Sequence, residues 1–244
     1  NPDPTNGDPF GLPAVTEVAV TAEDGATLRG HRCGDAGGPS VIAVHGLIES
    51  TRFWAPVARR LEEHGIDLVL VDQRGHGGSD RGEAAYSTET LGSDLRCWME
   101  QLDLRDAVVV GHSMGGVATM AYASDHADSA AERVRRLVLV ATLARPTTKP
   151  PAVDLDRALR LADRFMAREN LGLFGLRDVF GQRPARSALD ATRRGFLETD
   201  KVSRRHAIEM LGDFDLRGGP RQIGVPAVVV AGSHDGLTPL DAND

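Results

Sequence analysis

Seven short apolar runs punctuate this chain, and what lies between them sets the secondary structure. Thr16–Val20 and Thr27–Arg32 open the series of candidate strands. Val41–Val44, Asp67–Val71, Ala107–Val110, Leu137–Val140 and Ala227–Val230 follow as continuous Val, Leu, Ile and Ala runs, which is the pattern of strands buried on both faces. Between the runs, apolar residues recur at helical spacing. Phe53, Val57 and Leu61 make one stripe and Leu91, Leu95, Trp98 and Leu102 another, so Phe53 and Trp98 are expected in the core rather than in a binding site. Val117, Ala118, Met120, Ala121 and Tyr122 read as a buried helix. This alternation predicts an α/β fold: a mainly parallel central sheet with helices on both faces.

Between Arg145 and Pro220 the rhythm changes. The Val-rich runs vanish, and after a hinge marked by Pro146, Pro150 and Pro151 come helical segments such as Leu155–Arg168 and Val202–Leu211. Residues 145–218 therefore read as an inserted helical cap, with residues 15–144 and 219–244 forming the sheet domain. In the first cap helix Leu155, Leu159, Ala162 and Met166 share one face, and Arg157, Arg160, Arg164 and Arg168 are expected to be solvated. Phe165, Leu171, Leu173, Phe174, Leu176 and Phe180 either roof a pocket or form the cap's own small core. Residues 1–14, rich in Pro, Asp, Asn and Gly, read as a loose tail.

Composition narrows the class. The chain has 244 residues, 41% of them hydrophobic, and a formal net charge of -7, which suits a soluble globular protein and argues against nucleic acid as a partner. No apolar run approaches the length of a membrane span. Cys33 and Cys97 fall in strand-like and helix-like segments with no zinc-like spacing, and read as core thiols. The expected location is cytoplasmic; because the chain starts at Asn1, a removed secretory leader would leave no trace.

The chemistry is carried by Gly111-His112-Ser113-Met114-Gly115-Gly116, directly after the Ala107 run and before the buried helix. Glycines two residues before and two after a serine allow a strand-to-helix turn so tight that the hydroxyl stands clear, while the helix dipole favours an oxyanion beside it. Upstream, the Ser40–Val44 strand ends in His45-Gly46-Leu47, where glycine leaves the backbone open to a substrate oxygen.

With Asp72-Gln73-Arg74-Gly75-His76-Gly77-Gly78-Ser79-Asp80 and Gly232-Ser233-His234-Asp235-Gly236-Leu237-Thr238-Pro239 in order around these motifs, the chain from Val15 to Asp244 resembles the α/β-hydrolase fold superfamily, in its capped esterase, lipase and peroxidase-like branch. The resemblance implies that Ser113 is the nucleophile, that the N–H groups of Leu47 and Met114 form the oxyanion hole, and that Asp235 is the acid orienting a histidine. Asp72 is the competing acid, ranked lower because its segment is a structural loop in this family. His45, Gly46, Gly111, His112 and Gly115 would support the motifs. The substrate would be a small ester-like molecule, with no cofactor and no metal.

The resemblance departs at one place. The family's histidine follows the acid after one more strand, and no histidine stands between Asp235 and Asp244. The expectation is that the chain is cut short of that histidine, with the last strand and helix missing. The alternatives are that His206 acts in its place, or that the protein binds a ligand without turning it over. For the complete protein the reading is carboxylic ester hydrolysis, with lactone, thioester or carbon–carbon bond hydrolysis and perhydrolysis as alternatives on the same machinery. Epoxide hydrolysis and dehalogenation are disfavoured, since related families doing that chemistry use a carboxylate nucleophile.

Overall fold

Seven strands form one sheet in the computed structural model, which describes residues 10–146, 154–176, 185–218 and 224–239. They are β1 (Thr16–Thr21), β2 (Thr27–Gly34), β3 (Ser40–Val44), β4 (Asp67–Val71), β5 (Ala107–His112), β6 (Val134–Val140) and β7 (Ala227–Val230), in the order β1-β2-β4-β3-β5-β6-β7. The first two pair antiparallel, β2 also pairs antiparallel with β4, and the remaining pairs are parallel.

The continuous apolar runs are divided between two faces because successive strand side chains point oppositely. Ile42, Val44, Val69 and Val71 join the larger core with Leu91, Leu95 and Trp98 of α2 (Thr88–Gln101, after the short α1 Ala55–Leu61) and with Met114, Ala118 and Tyr122 of α3 (Met114–Asp125). Ala43, Leu68 and Leu70 face the other way, onto Trp54 and Ala58. Both cysteines are buried thiols, and burial pushes each upward in pKa. The sheet is thus covered on both faces, as expected, while α4 (Ala127–Arg133) leads into β6. Strand β7 corrects one expectation: it is the outer strand on its side among the described residues, so its four residues are exposed rather than buried on both faces.

The stripe expected from Phe53, Val57 and Leu61 needs correction. Thr51–Trp54 is a 3-10 turn, which shifts the register of α1, so Trp54, Ala55 and Ala58 are buried and Val57 is exposed. Phe53 is only partly buried. Packing also begins earlier than composition suggests: Leu12 and Val15 lie against the smaller core, and Arg59 donates to the Gly11 carbonyl.

Between β6 and β7 run α5 (Leu155–Met166), α6 (Glu169–Leu176), α7 (Arg186–Glu198) and α8 (Lys201–Leu211). Leu173, Leu176 and Leu189 form a small cluster with Met166 packed against it, while Leu171 and Phe174 are exposed and Phe180 lies outside the described residues. The four arginines of the first helical stretch, Arg157, Arg160, Arg164 and Arg168, are exposed as expected. Arg204 ties three helices together. Its guanidinium is buried, donates to Asp163 of α5 and to the Phe196 carbonyl of α7 (both 2.6 Å), and lies 3.8 Å from the Phe196 ring centroid. Among the described residues no helix is long and apolar enough to cross a membrane.

Candidate active site

Parallel pairing of β3 with β5, in the register Val44 opposite Gly111, brings the residues following the two strands side by side. Ser113 begins the turn into α3 with φ 51° and ψ -118°, a left-handed conformation unfavourable for a side-chain-bearing residue by on the order of 1–3 kcal/mol. The turn is held from within. The Ser113 N–H donates to the Val140 carbonyl, and the Ser113 carbonyl accepts from Gly116 N–H, Val117 N–H and Thr142 Oγ1. A Cβ on Gly111 would stand 2.6 Å from Thr119 Oγ1 and 2.7 Å from the Gly115 carbonyl carbon, and one on Gly115 would press on the carbonyls of Val44 and His45. Both glycines are needed where the sequence places them.

Two N–H groups are candidates for the oxyanion hole that the resemblance implies. That of Met114 opens α3, where no intrahelical acceptor is available, and that of Leu47 follows β3; neither is hydrogen-bonded among the described residues. The aim of the Leu47 amide is fixed by His45. Gln73 N–H donates to His45 Nε2 (3.1 Å), so that nitrogen is the acceptor and Nδ1 carries the proton, which it donates to the Gly46 carbonyl (2.7 Å). In a trans peptide the N–H points opposite to the carbonyl, so holding Gly46 O directs Leu47 N–H away from His45. Burial pushes the His45 pKa down, against the pull of Asp72, and keeps the ring neutral for this task. His45 thus ties the residues after β3 to the loop after β4.

Both carboxylate oxygens of Asp72, the lower-ranked candidate acid, accept backbone bonds. Its Oδ1 accepts from Thr51 N–H (2.6 Å) and its Oδ2 from Gly78 N–H (2.9 Å), knitting the loop after β4. His76, next in that loop, is buried, and desolvation together with His45 lowers its pKa to about 3. Arg74 anchors the same loop by a two-pronged bond to Asp94 of α2 (2.6 and 2.7 Å) and a longer one to Asp24 (3.2 Å).

Asp235 lies five residues beyond the end of β7, two strands across from β5 and at the same end of the parallel sheet, roughly 10 Å along the strand-spacing direction. Its Oδ1 accepts from the N–H groups of Leu237 (2.8 Å) and Thr238 (2.9 Å), and its Oδ2 from Thr238 Oγ1 (2.5 Å). Desolvation works against ionisation, but these bonds and the neighbouring His112 prevail and lower its pKa. All eight histidines lie among the described residues, and none hydrogen-bonds to Ser113 or Asp235. His206, on α8, is not brought to Ser113 by any bond. His112 instead bonds through Nδ1 to Glu49 (3.1 Å) and stacks on Phe53 at 4.4 Å.

Two participants were not singled out by sequence reasoning. Glu49 sits beside Ser113, and Phe53, expected only in the core, lines an open cleft of about 480 Å³ with Phe10, Ile48, Ala191 and Gly195. The cleft adjoins Ser113 through Glu49 and Phe53 rather than containing it. The available signal for Glu49 was its place three residues after Gly46, the span at which a carboxylate folds back onto a backbone N–H.

Comparison with known proteins agrees with this fold. A family model described as alpha/beta hydrolase fold matches residues 39–179. The chain is 27% identical over 213 residues to the AB hydrolase superfamily protein YisY of Bacillus subtilis, covering 84% of this chain and 77% of that one. Three mycobacterial relatives, 30% identical over 68% of this chain, are matched over only 46% of their own length. Among solved structures, the esterase EaEST of Exiguobacterium antarcticum superposes with TM-score 0.78 at 23% identity, covering 92% of this chain and 84% of that one. The enol-lactonase of Burkholderia xenovorans LB400 superposes with TM-score 0.76 at 26% identity, covering 92% and 85%.

Proposed function

Because this chain belongs to the alpha/beta hydrolase fold family, we propose that it carries the serine nucleophile of a carboxylic ester hydrolase working through an acyl-enzyme. The observation that carries this is the strained Ser113 turn flanked by the unused amides of Leu47 and Met114. Ser113 Oγ adds to the ester carbonyl, the two N–H groups hold the oxyanion, and the alcohol leaves; water then adds to the acyl-enzyme and releases the acid and Ser113. The proton passes through an imidazole oriented by Asp235. In this reading α5–α8 are the cap, and the cleft beside Phe53 takes an apolar part of the substrate. Lactone hydrolysis is the second reading, supported by the likeness to the Burkholderia enol-lactonase.

None of the eight histidines hydrogen-bonds to Ser113 or Asp235, so the test supplies the imidazole from solution. Added imidazole is expected to accelerate hydrolysis of 4-nitrophenyl butyrate by these 244 residues saturably, and Ser113→Ala is expected to erase the acceleration. Equal acceleration in both proteins would be solution catalysis by imidazole and would sink the proposal. A γ-lactone assayed beside the ester separates the two readings.

A further inference from the structure

Gly46 is the weak point of the oxyanion loop. Without a side chain, it leaves the peptide planes on both sides of its Cα free to turn, and one of them carries the Leu47 N–H. His45 pins the plane after Gly46, through the carbonyl. The plane before it carries the Gly46 N–H, and this group donates to Glu49 Oε2 at 2.6 Å, the length of a charge-assisted bond. The same oxygen lies 3.1 Å from His112 Nδ1. A single point, where a Cβ on Gly46 would stand, is within 3.0 Å of Glu49 Oε2, 3.0 Å of His112 Nδ1 and 3.2 Å of Ser113 Cβ. Loop, nucleophile turn and carboxylate meet there.

Closing the loop back from Glu49 to Gly46 puts Ile48 at φ 57°, a conformation that a β-branched residue adopts only when its surroundings impose it. The outer side of Ile48 is pressed by α7. A Cβ on Gly195 would run into the Ile48 carbonyl, so the helix backbone lies directly on the loop. With the strain held from outside, the Glu49 side chain is the inner tie.

From this geometry we infer that Glu49 is a positioning residue: its carboxylate locks the oxyanion loop to the nucleophile turn by holding Gly46 N–H and His112 together. The catalytic consequence rests on the hydrolase reading; the clamp itself does not. Glu49 does not touch substrate in this role, and acts by keeping Leu47 N–H on the oxyanion.

The test uses the 244-residue chain and its Glu49→Ala and Glu49→Gln variants. In amide NMR spectra the Gly46 proton is expected far downfield and slow to exchange, to lose both properties in Glu49→Ala, and to keep much of its protection in Glu49→Gln, whose carbonyl oxygen can still accept. Imidazole-supported ester hydrolysis is expected to fall about tenfold in kcat for Glu49→Ala, with KM within about twofold, and to recover most of that loss in Glu49→Gln. A Gly46 amide unchanged by Glu49→Ala overturns the clamp. A changed Gly46 amide with kcat unchanged overturns the catalytic role. If the unsubstituted chain shows no imidazole-dependent hydrolysis, the hydrolase reading and the catalytic role fall together, and the NMR result still decides the clamp.

Discussion

Replacing Gly115 with alanine is expected to destabilise the fold by about 3 kcal/mol, and to lower the thermal midpoint by roughly 6–12 °C. The added methyl has nowhere to go. It would stand 2.6 Å from the His45 carbonyl oxygen and 2.7 Å from the Val44 carbonyl carbon, closer still to the Val44 oxygen, and these are backbone atoms of the central strand β3 and its exit rather than the movable end of a side chain. Relief requires α3 to move off the sheet, which opens the contact that sets Ser113 beside Gly46. The same substitution at Gly218, where nothing lies within 4 Å, is the control and is expected to change stability by less than about 0.5 kcal/mol. Calorimetry on both variants checks the difference; a Gly115→Ala protein melting with the parent would mean that the turn is looser than described.

Arg74→Met is expected to cost about 3–5 kcal/mol at neutral pH, because it leaves Asp94 as a buried carboxylate without its cation. The effect depends on pH with a definite sign. Asp94 already has a raised pKa, since desolvation outweighs the attraction of Arg74, and removing Arg74 raises it further. A carboxyl whose folded pKa lies above its unfolded value destabilises the fold when ionised and recovers that loss as pH falls through the folded value. The penalty of Arg74→Met should therefore be largest near pH 7 and shrink towards pH 5. Asp24 behaves oppositely. Although desolvation opposes its ionisation, bonds from Ala84 N–H, Arg74 and Ala26 N–H hold its pKa at about 2, so in the parent its contribution is present above the ordinary value of 3.8 and fades towards pH 2. Urea titrations near pH 7 and pH 5 measure this, and a penalty that grows on acidification would contradict it. The loss also bears on the site, because the loop that Arg74 anchors carries Gln73, and Gln73 sets the proton on His45.

How much of this was legible in the sequence follows from where the information lies. The buried strands were, because a run such as Ala107–Val110 has no polar face to confuse it; the Ala227 strand has the bounds read for it but not the burial. Strand β6 begins three residues before the Leu137 run, since Arg135, skipped by the pairing register as a bulge, and Arg136 break the apolar pattern. α7 and its neighbour α6 were not singled out: α7 buries only Leu189 and Phe196 and contains Gly195, whose purpose emerges only when the helix backbone lies on Ile48. The tight turn at Ser113 was legible because backbone geometry is written in glycine spacing, and Gly111 and Gly115 stand where a Cβ would clash. Glu49 was not, because its meaning arises from a loop that closes on itself and from a histidine on another strand.

The most direct measurement is peptide-mapped mass spectrometry of the chain after exposure to a fluorophosphonate in the presence of imidazole. The account predicts one adduct, on the peptide containing Ser113, formed faster than on any other serine and slowed by a competing ester. Absence of an adduct, or labelling of Ser113 no faster than of exposed serines such as Ser233, would contradict it.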